Sequence, residues 1–137
     1  MTTRLFLKVI LCLLFTVESF SQPLPADNTF FNPTIRQTDR SVTPIDIMQA
    51  NNWKVTENFI FDFIKGGGNK ISYGAFFKGG SENGEFSKNL VMCNANIEHR
   101  DDLIGVGLSL GGGGSDESLR RKNALYEHTG GEINHNI

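Results

Sequence analysis

The residues of this chain that could do chemistry are few and scattered. His99 stands among Glu98, Asp101 and Asp102, while His128 and His135 stand near Glu127 and Glu132. Imidazole and carboxylate together can hold a divalent cation, but fixed ligand geometry needs a spacing such as His-Glu-x-x-His on one helix face. Neither cluster has such a spacing, so both read as solvated polar segments and no metal is assigned. The glycines invite a phosphate-loop reading that fails on detail. Gly66-Gly67-Gly68-Asn69-Lys70-Ile71-Ser72 lacks the Gly-Lys-Ser/Thr ending, and Gly105-x-Gly107-x-x-x-Gly111 misses the dinucleotide spacing and sits inside a strand pattern. Serine, histidine and aspartate are all present, yet no nucleophile elbow places a serine. The expectation is a non-enzymatic protein with no catalytic residue and no cofactor.

Three other features carry functional readings. Phe59, Phe61 and Phe63 share one parity, with Tyr73 and Phe77 on the corresponding parity of the next strand candidate. Such a stripe is either a core or, where nothing covers the sheet, a face for an apolar ligand or a partner. Cys93 shares a parity with Val91 and Ala95, which suits a buried inert thiol; pairing with another chain is the alternative. Arg120-Arg121-Lys122 is either the solvated face of a helix or a processing site.

The elements that must position these residues are predicted to be mainly β. Thr43-Pro44-Ile45-Asp46 has N-cap and first-turn grammar, which predicts a short helix over residues 43–50. From Trp53 the apolar period becomes two. Strand candidates follow at 53–64, 71–77, 86–97 and 104–110, separated by Gly66 to Gly68, by Gly79 to Gly84 and by His99-Arg100-Asp101-Asp102. Short breaks between long strands predict a four-stranded antiparallel meander, strongly curved, because parallel pairing would call for helical crossovers. Gly111 to Gly114 is a hinge, Ser115 to about His128 a weak C-terminal helix, and the remainder a tail.

Residues 1–21 have the form of a secretory signal. Arg4 and Lys8 precede the apolar run from Val9 to Val17, and Ser19 and Ser21 offer a cleavage site after Ser21. The run is shorter than the roughly 20 residues of a membrane span, so no stable membrane span is expected. Residues 22–42, with Pro23, Pro25 and Pro33, read as a disordered leader; 43–114 then form the β-rich domain and 115–137 the helical segment and tail. Without Arg4, Lys8 and Glu18 the 13 basic and 15 acidic residues fall to 11 and 14, a formal charge of −3. No basic stripe offers itself to nucleic acid.

All 15 glycines lie between Gly66 and Gly131. The opening Gln22-Pro23-Leu24-Pro25-Ala26-Asp27 resembles the dipeptide-trimmed leaders of insect secreted defence peptides. Together with the glycine-rich, phenylalanine-alternating region up to Gly114, it resembles the inducible glycine-rich defence proteins of insects, of the attacin type. That resemblance implies an extracellular, non-enzymatic effector in antibacterial immunity, acting on a bacterial surface or a receptor. The alternative is an extracellular module that binds an apolar ligand, another protein or a second copy of itself through the aromatic sheet face.

Overall fold

The computed structural model describes residues 27–112 and 114–137, so the signal-like segment and its Ser21 lie outside the described residues. Their organisation follows from a repeat. Asp27-Asn28-Thr29-Phe30-Phe31, Glu57-Asn58-Phe59-Ile60-Phe61 and Lys88-Asn89-Leu90-Val91-Met92 each set a charged residue and an asparagine before a short, mainly apolar strand, with the asparagines 30 and 31 residues apart. Each copy opens a coil of the chain. The first coil holds β1 (Thr29–Phe31), β2 (Ile45–Met48) and β3 (Lys54–Thr56). The second holds β4 (Phe59–Phe61), β5 (Ile71–Lys78), β6 (Ser81–Glu82) and β7 (Glu85–Ser87). The third holds β8 (Leu90–Met92), β9 (Ile104–Leu110), β10 (His128–Thr129) and β11 (Glu132–Asn134). Every strand pairs in parallel with its counterpart in the next coil, giving the stacks β1-β4-β8, β2-β5-β9, β6-β10 and β3-β7-β11. The chain is a parallel β-solenoid with four flanks.

This overturns the antiparallel meander with two helices. Parallel strands need a long return path, but in a solenoid the other sides of the coil provide it and no crossover helix is required. Residues 45–48, inside the expected N-terminal helix, are a strand whose Ile45 and Ile47 stack on Ala75 and Phe77; a two-turn helix gains too little alone to resist that burial. The expected C-terminal helix is a single 3₁₀ turn, Glu117–Leu119. Thr29–Phe31, within the expected disordered leader, is the first strand. The long strands expected over 53–64 and 86–97 are each broken by a corner, at Glu57-Asn58 and Lys88-Asn89, where the backbone turns and the inward parity changes.

Those corners explain the recurring asparagine. Asp27, Glu57, Lys88 and His135 all adopt the left-handed backbone region, with φ between 54° and 66°, and the following asparagine turns into the solenoid. Asn58 and Asn89 are almost wholly buried. The Asn89 side-chain oxygen accepts from the Asn58 backbone N–H at 3.0 Å, and its amide donates to Val55 O at 2.9 Å and Asn136 Oδ1 at 2.9 Å. An asparagine ladder thus satisfies backbone groups that a buried corner would leave without partners.

Inside, side chains from successive coils form columns: Ile47 under Phe77 and Leu110, Val55 under Phe86 and Ile133, Phe30 under Ile60 and Val91. Val55, Ile60, Phe63, Phe77 and Phe86 are fully buried, each contributing on the order of 2 kcal/mol by leaving water. The segment between β8 and β9 is held on by a buried carboxylate. Asp62 accepts from the Ala95, Asn96 and Ile97 backbone N–H groups and from the Asn96 amide. Burial alone pushes its pKa up, but those donors outweigh burial and hold it below the ordinary range.

Candidate partner-binding face

On the flank β1-β4-β8, period-two alternation sends Phe30, Ile60 and Val91 inward and leaves two outward rows, Thr29-Phe59-Leu90 and Phe31-Phe61-Met92. The outward rings touch. Phe31 and Phe61 stack with centroids 5.1 Å apart and planes 2° from parallel, and Phe59 lies 4.4 Å from Phe61. Phe61 is covered by its two neighbours, whereas Phe31 is 54% exposed and Leu90 and Met92 are each 37% exposed. The rows form a continuous apolar surface on a rigid sheet. Beside them runs the corner column Asp27, Glu57, Lys88 and His135, all exposed. Thr29, Phe59 and Leu90 share a shallow groove of about 390 Å³ with Asp27, Glu57 and Lys88, and Lys88 Nζ lies 3.2 Å from Glu57 Oε1.

The expected aromatic stripe is divided. Phe59 and Phe61 stand on this outer face, Phe63 and Phe77 are in the core, and Tyr73 lies outside on the flank β2-β5-β9. The division has a local cause in β5. The Cα–H of Gly74 points at Phe63 and Val91, yet the next residue, Ala75, is also fully buried, so the inward parity shifts there and separates Tyr73 from Phe77. Tyr73 stacks on Phe76 at 4.7 Å, Lys78 Nζ sits 4.9 Å from the Phe76 ring and 2.8 Å from Asp46 Oδ2, and Asp116 and Leu119 close over one end of a cleft of about 280 Å³.

The remaining candidates are placed as follows. His128 Nε2 accepts from the Gly84 N–H at 3.3 Å, so its Nδ1–H donates to Ser81 Oγ at 2.8 Å. The hydroxyl therefore faces a donor and not a base, and Ser81 is fully buried. Burial lowers the His128 pKa, and Glu82 opposes that shift. His99 pairs with Asp101 at 2.9 Å on an exposed loop, and His135 belongs to the corner column. Nearby, hydrogen bonds from Lys70 and Arg100 hold Asp102 at a pKa of about 2. Among the described residues no group of three His, Cys, Asp or Glu is gathered to hold a metal, and no helix is long and apolar enough to cross a membrane.

Cys93 is half-buried with Sγ 3.5 Å from Gly105 O, and burial pushes its thiol pKa up, which keeps it protonated and unreactive. Arg120 and Arg121 do not lie on a helix face. Arg120 Nε reaches Glu127 Oε1 at 2.6 Å, a pair internal to the excursion between β9 and β10, while Arg121 reaches Glu82 at 3.2 Å and Gln49 O at 2.8 Å and ties that excursion to the coils below; Lys122 is exposed.

Fold and face together define a parallel β-solenoid whose flank β1-β4-β8 is apolar on its outer side. Comparison of the chain with protein-family models, with curated proteins and with solved structures finds no match.

Proposed function

We propose that this chain is a non-catalytic binding module that presents the outer face of β1-β4-β8 to another protein surface. The observation that carries the reading is the outward apolar patch of exposed Phe31, Leu90 and Met92 and half-buried Phe59, packed around the covered Phe61, where the alternation of the strands calls for polar side chains. Contiguous apolar surface of this kind is costly to leave in water and marks interaction sites. The face is broad and the groove along its charged edge is shallow, which suits a protein surface better than an enclosed small ligand. Three hydrogen-bonded coils keep it preorganised, so little ordering entropy is lost on binding. Acting outside the cell, such a module would work by contact alone.

The test is a fluorescent apolar dye, bis-ANS, at sub-micromolar protein. The dye is expected to bind the folded chain, and Leu90→Glu with Met92→Glu to abolish the signal without changing the urea midpoint. Absence of dye binding, or collapse of the midpoint in that variant, would make the face part of the protein's own packing and overturn the reading.

A further inference from the structure

We infer that the occupant of this face is a second copy of the chain, packed face to face about a two-fold axis that runs along the strands. The inference rests on the binding-module reading above and adds the partner. Its basis is the order of charge in the column beside the apolar rows, which reads Asp27, Glu57, Lys88, His135 from the first coil to the last. The acidic pair stands at one end and the lysine and histidine at the other.

A two-fold axis along the strands reverses the coil order of the partner while keeping the column on the same side. Glu57 then stands opposite the partner's Lys88 and Lys88 opposite the partner's Glu57, which is the reciprocal contact an isologous interface requires. In the same operation Phe59 meets the partner's Leu90 and Phe61 meets the partner's Met92, so aromatic rings from the second coil cover the aliphatic side chains of the third. The other face-to-face two-fold, parallel to the solenoid axis, sets coil against identical coil and moves the charged columns to opposite sides, where they do not meet. The groove shared by Glu57, Lys88, Phe59 and Leu90 brings the charged and apolar rows within reach of one partner surface. Charge order thus selects both the occupant and its orientation.

Sedimentation equilibrium of the purified full chain tests this. The wild type is expected to be a dimer at about 100 µM. Glu57→Lys alone and Lys88→Glu alone each set like charges opposite one another and are expected to weaken association at least about tenfold. Mixing those two variants restores complementarity, so a heterodimer is expected from proteins that do not self-associate. Each substitution also breaks the Glu57–Lys88 pair within the chain, but both side chains are exposed, so the urea midpoint of each variant is measured alongside and is expected to stay close to that of the wild type. A wild type that is monomeric at that concentration, or variants that fail to pair on mixing, overturns the two-fold assembly. In the monomeric case, dye binding lost with Leu90→Glu and Met92→Glu leaves a protein-binding face for a different partner, whereas absence of dye binding removes both readings.

Discussion

Two flanks of the same solenoid carry aromatic side chains outward and leave them in opposite states. On β2-β5-β9, Phe76 is 2% exposed because Tyr73 stacks on it, Lys78 crosses its ring on the way to Asp46, and residues 114–119 fold over the edge. On β1-β4-β8, the described residues lay no such cover over Phe31, Leu90 and Met92, and the nearest charges form a separate column. Both flanks lie over the same kind of core. The difference shows that exposure here is set by what the chain lays over each flank, since the alternation of the strands treats both alike. A flank left apolar and uncovered by the described residues, beside a covered one, is what the proposed binding role rests on.

Substitutions behind and on the flanks sharpen that comparison. Phe77→Ala behind one flank is expected to cost about 3–5 kcal/mol, and Ile60→Ala behind the other about 2–5 kcal/mol, while outward Phe31→Ala costs under about 1 kcal/mol. Urea unfolding checks all three, and a cost for Phe31→Ala equal to that of Phe77→Ala would erase the distinction between inside and outside. Asn89→Ala removes the ladder contacts at the corner that bounds the apolar flank and leaves Asn58 and Val55 backbone groups without partners. About 2–4 kcal/mol is expected, with hydrogen exchange rising first in β4 and β8. Asp46→Asn breaks the Lys78 pair that covers the Phe76 ring and is expected to cost about 1 kcal/mol, given that the Asp46 side chain is 34% exposed. The equivalent change at the more exposed Glu57 is expected to cost close to nothing in the monomer.

The smallest effect expected is the pH dependence of the last coil. His128 joins β10 to the Ser81 and Gly84 positions only when neutral, and its folded pKa lies below the ordinary 6.5. The unfolded chain therefore takes up the proton first on acidification. Stability from this group is complete above pH 6.5 and declines as pH falls from there toward the folded value. Measured between pH 7.5 and 5, about the range in which histidine titrates, the decline should be absent in His128→Gln. A slope that survives the substitution would assign the dependence to other groups.

How far the amino-acid sequence specifies this molecule can be judged from particular elements. The period-two alternation located the bounds of Ile71–Lys78 and Ile104–Leu110 with little error, because long strands repeat the pattern several times, but it missed the shift of inward parity at Gly74-Ala75. It ran through the corners at Glu57-Asn58 and Lys88-Asn89, since a left-handed residue followed by an inward asparagine reverses the inward parity without any glycine or proline to announce it. The signal that reveals those corners is the recurrence of Asn28, Asn58, Asn89 and Asn136 before apolar or β-branched residues, a repeat of the chain against itself. Its last interval, 47 residues between Asn89 and Asn136, is lengthened by the excursion between β9 and β10, which blurs the period. Of the candidate face, Phe59 and Phe61 were legible as a pair. Phe31, Leu90 and Met92 were not, because they join that pair only through stacking of coils.

Methionine oxidation tests the central claim most directly, because Met92 stands on the apolar flank and Met48 on the covered one. With dilute peroxide and about 1 µM protein, Met92 should form sulfoxide faster than Met48, and raising the protein to about 100 µM should slow Met92 several-fold while leaving Met48 unchanged. A Met92 rate no faster than that of Met48, and the same at both concentrations, would contradict a face that is open in the single chain and covered in a complex.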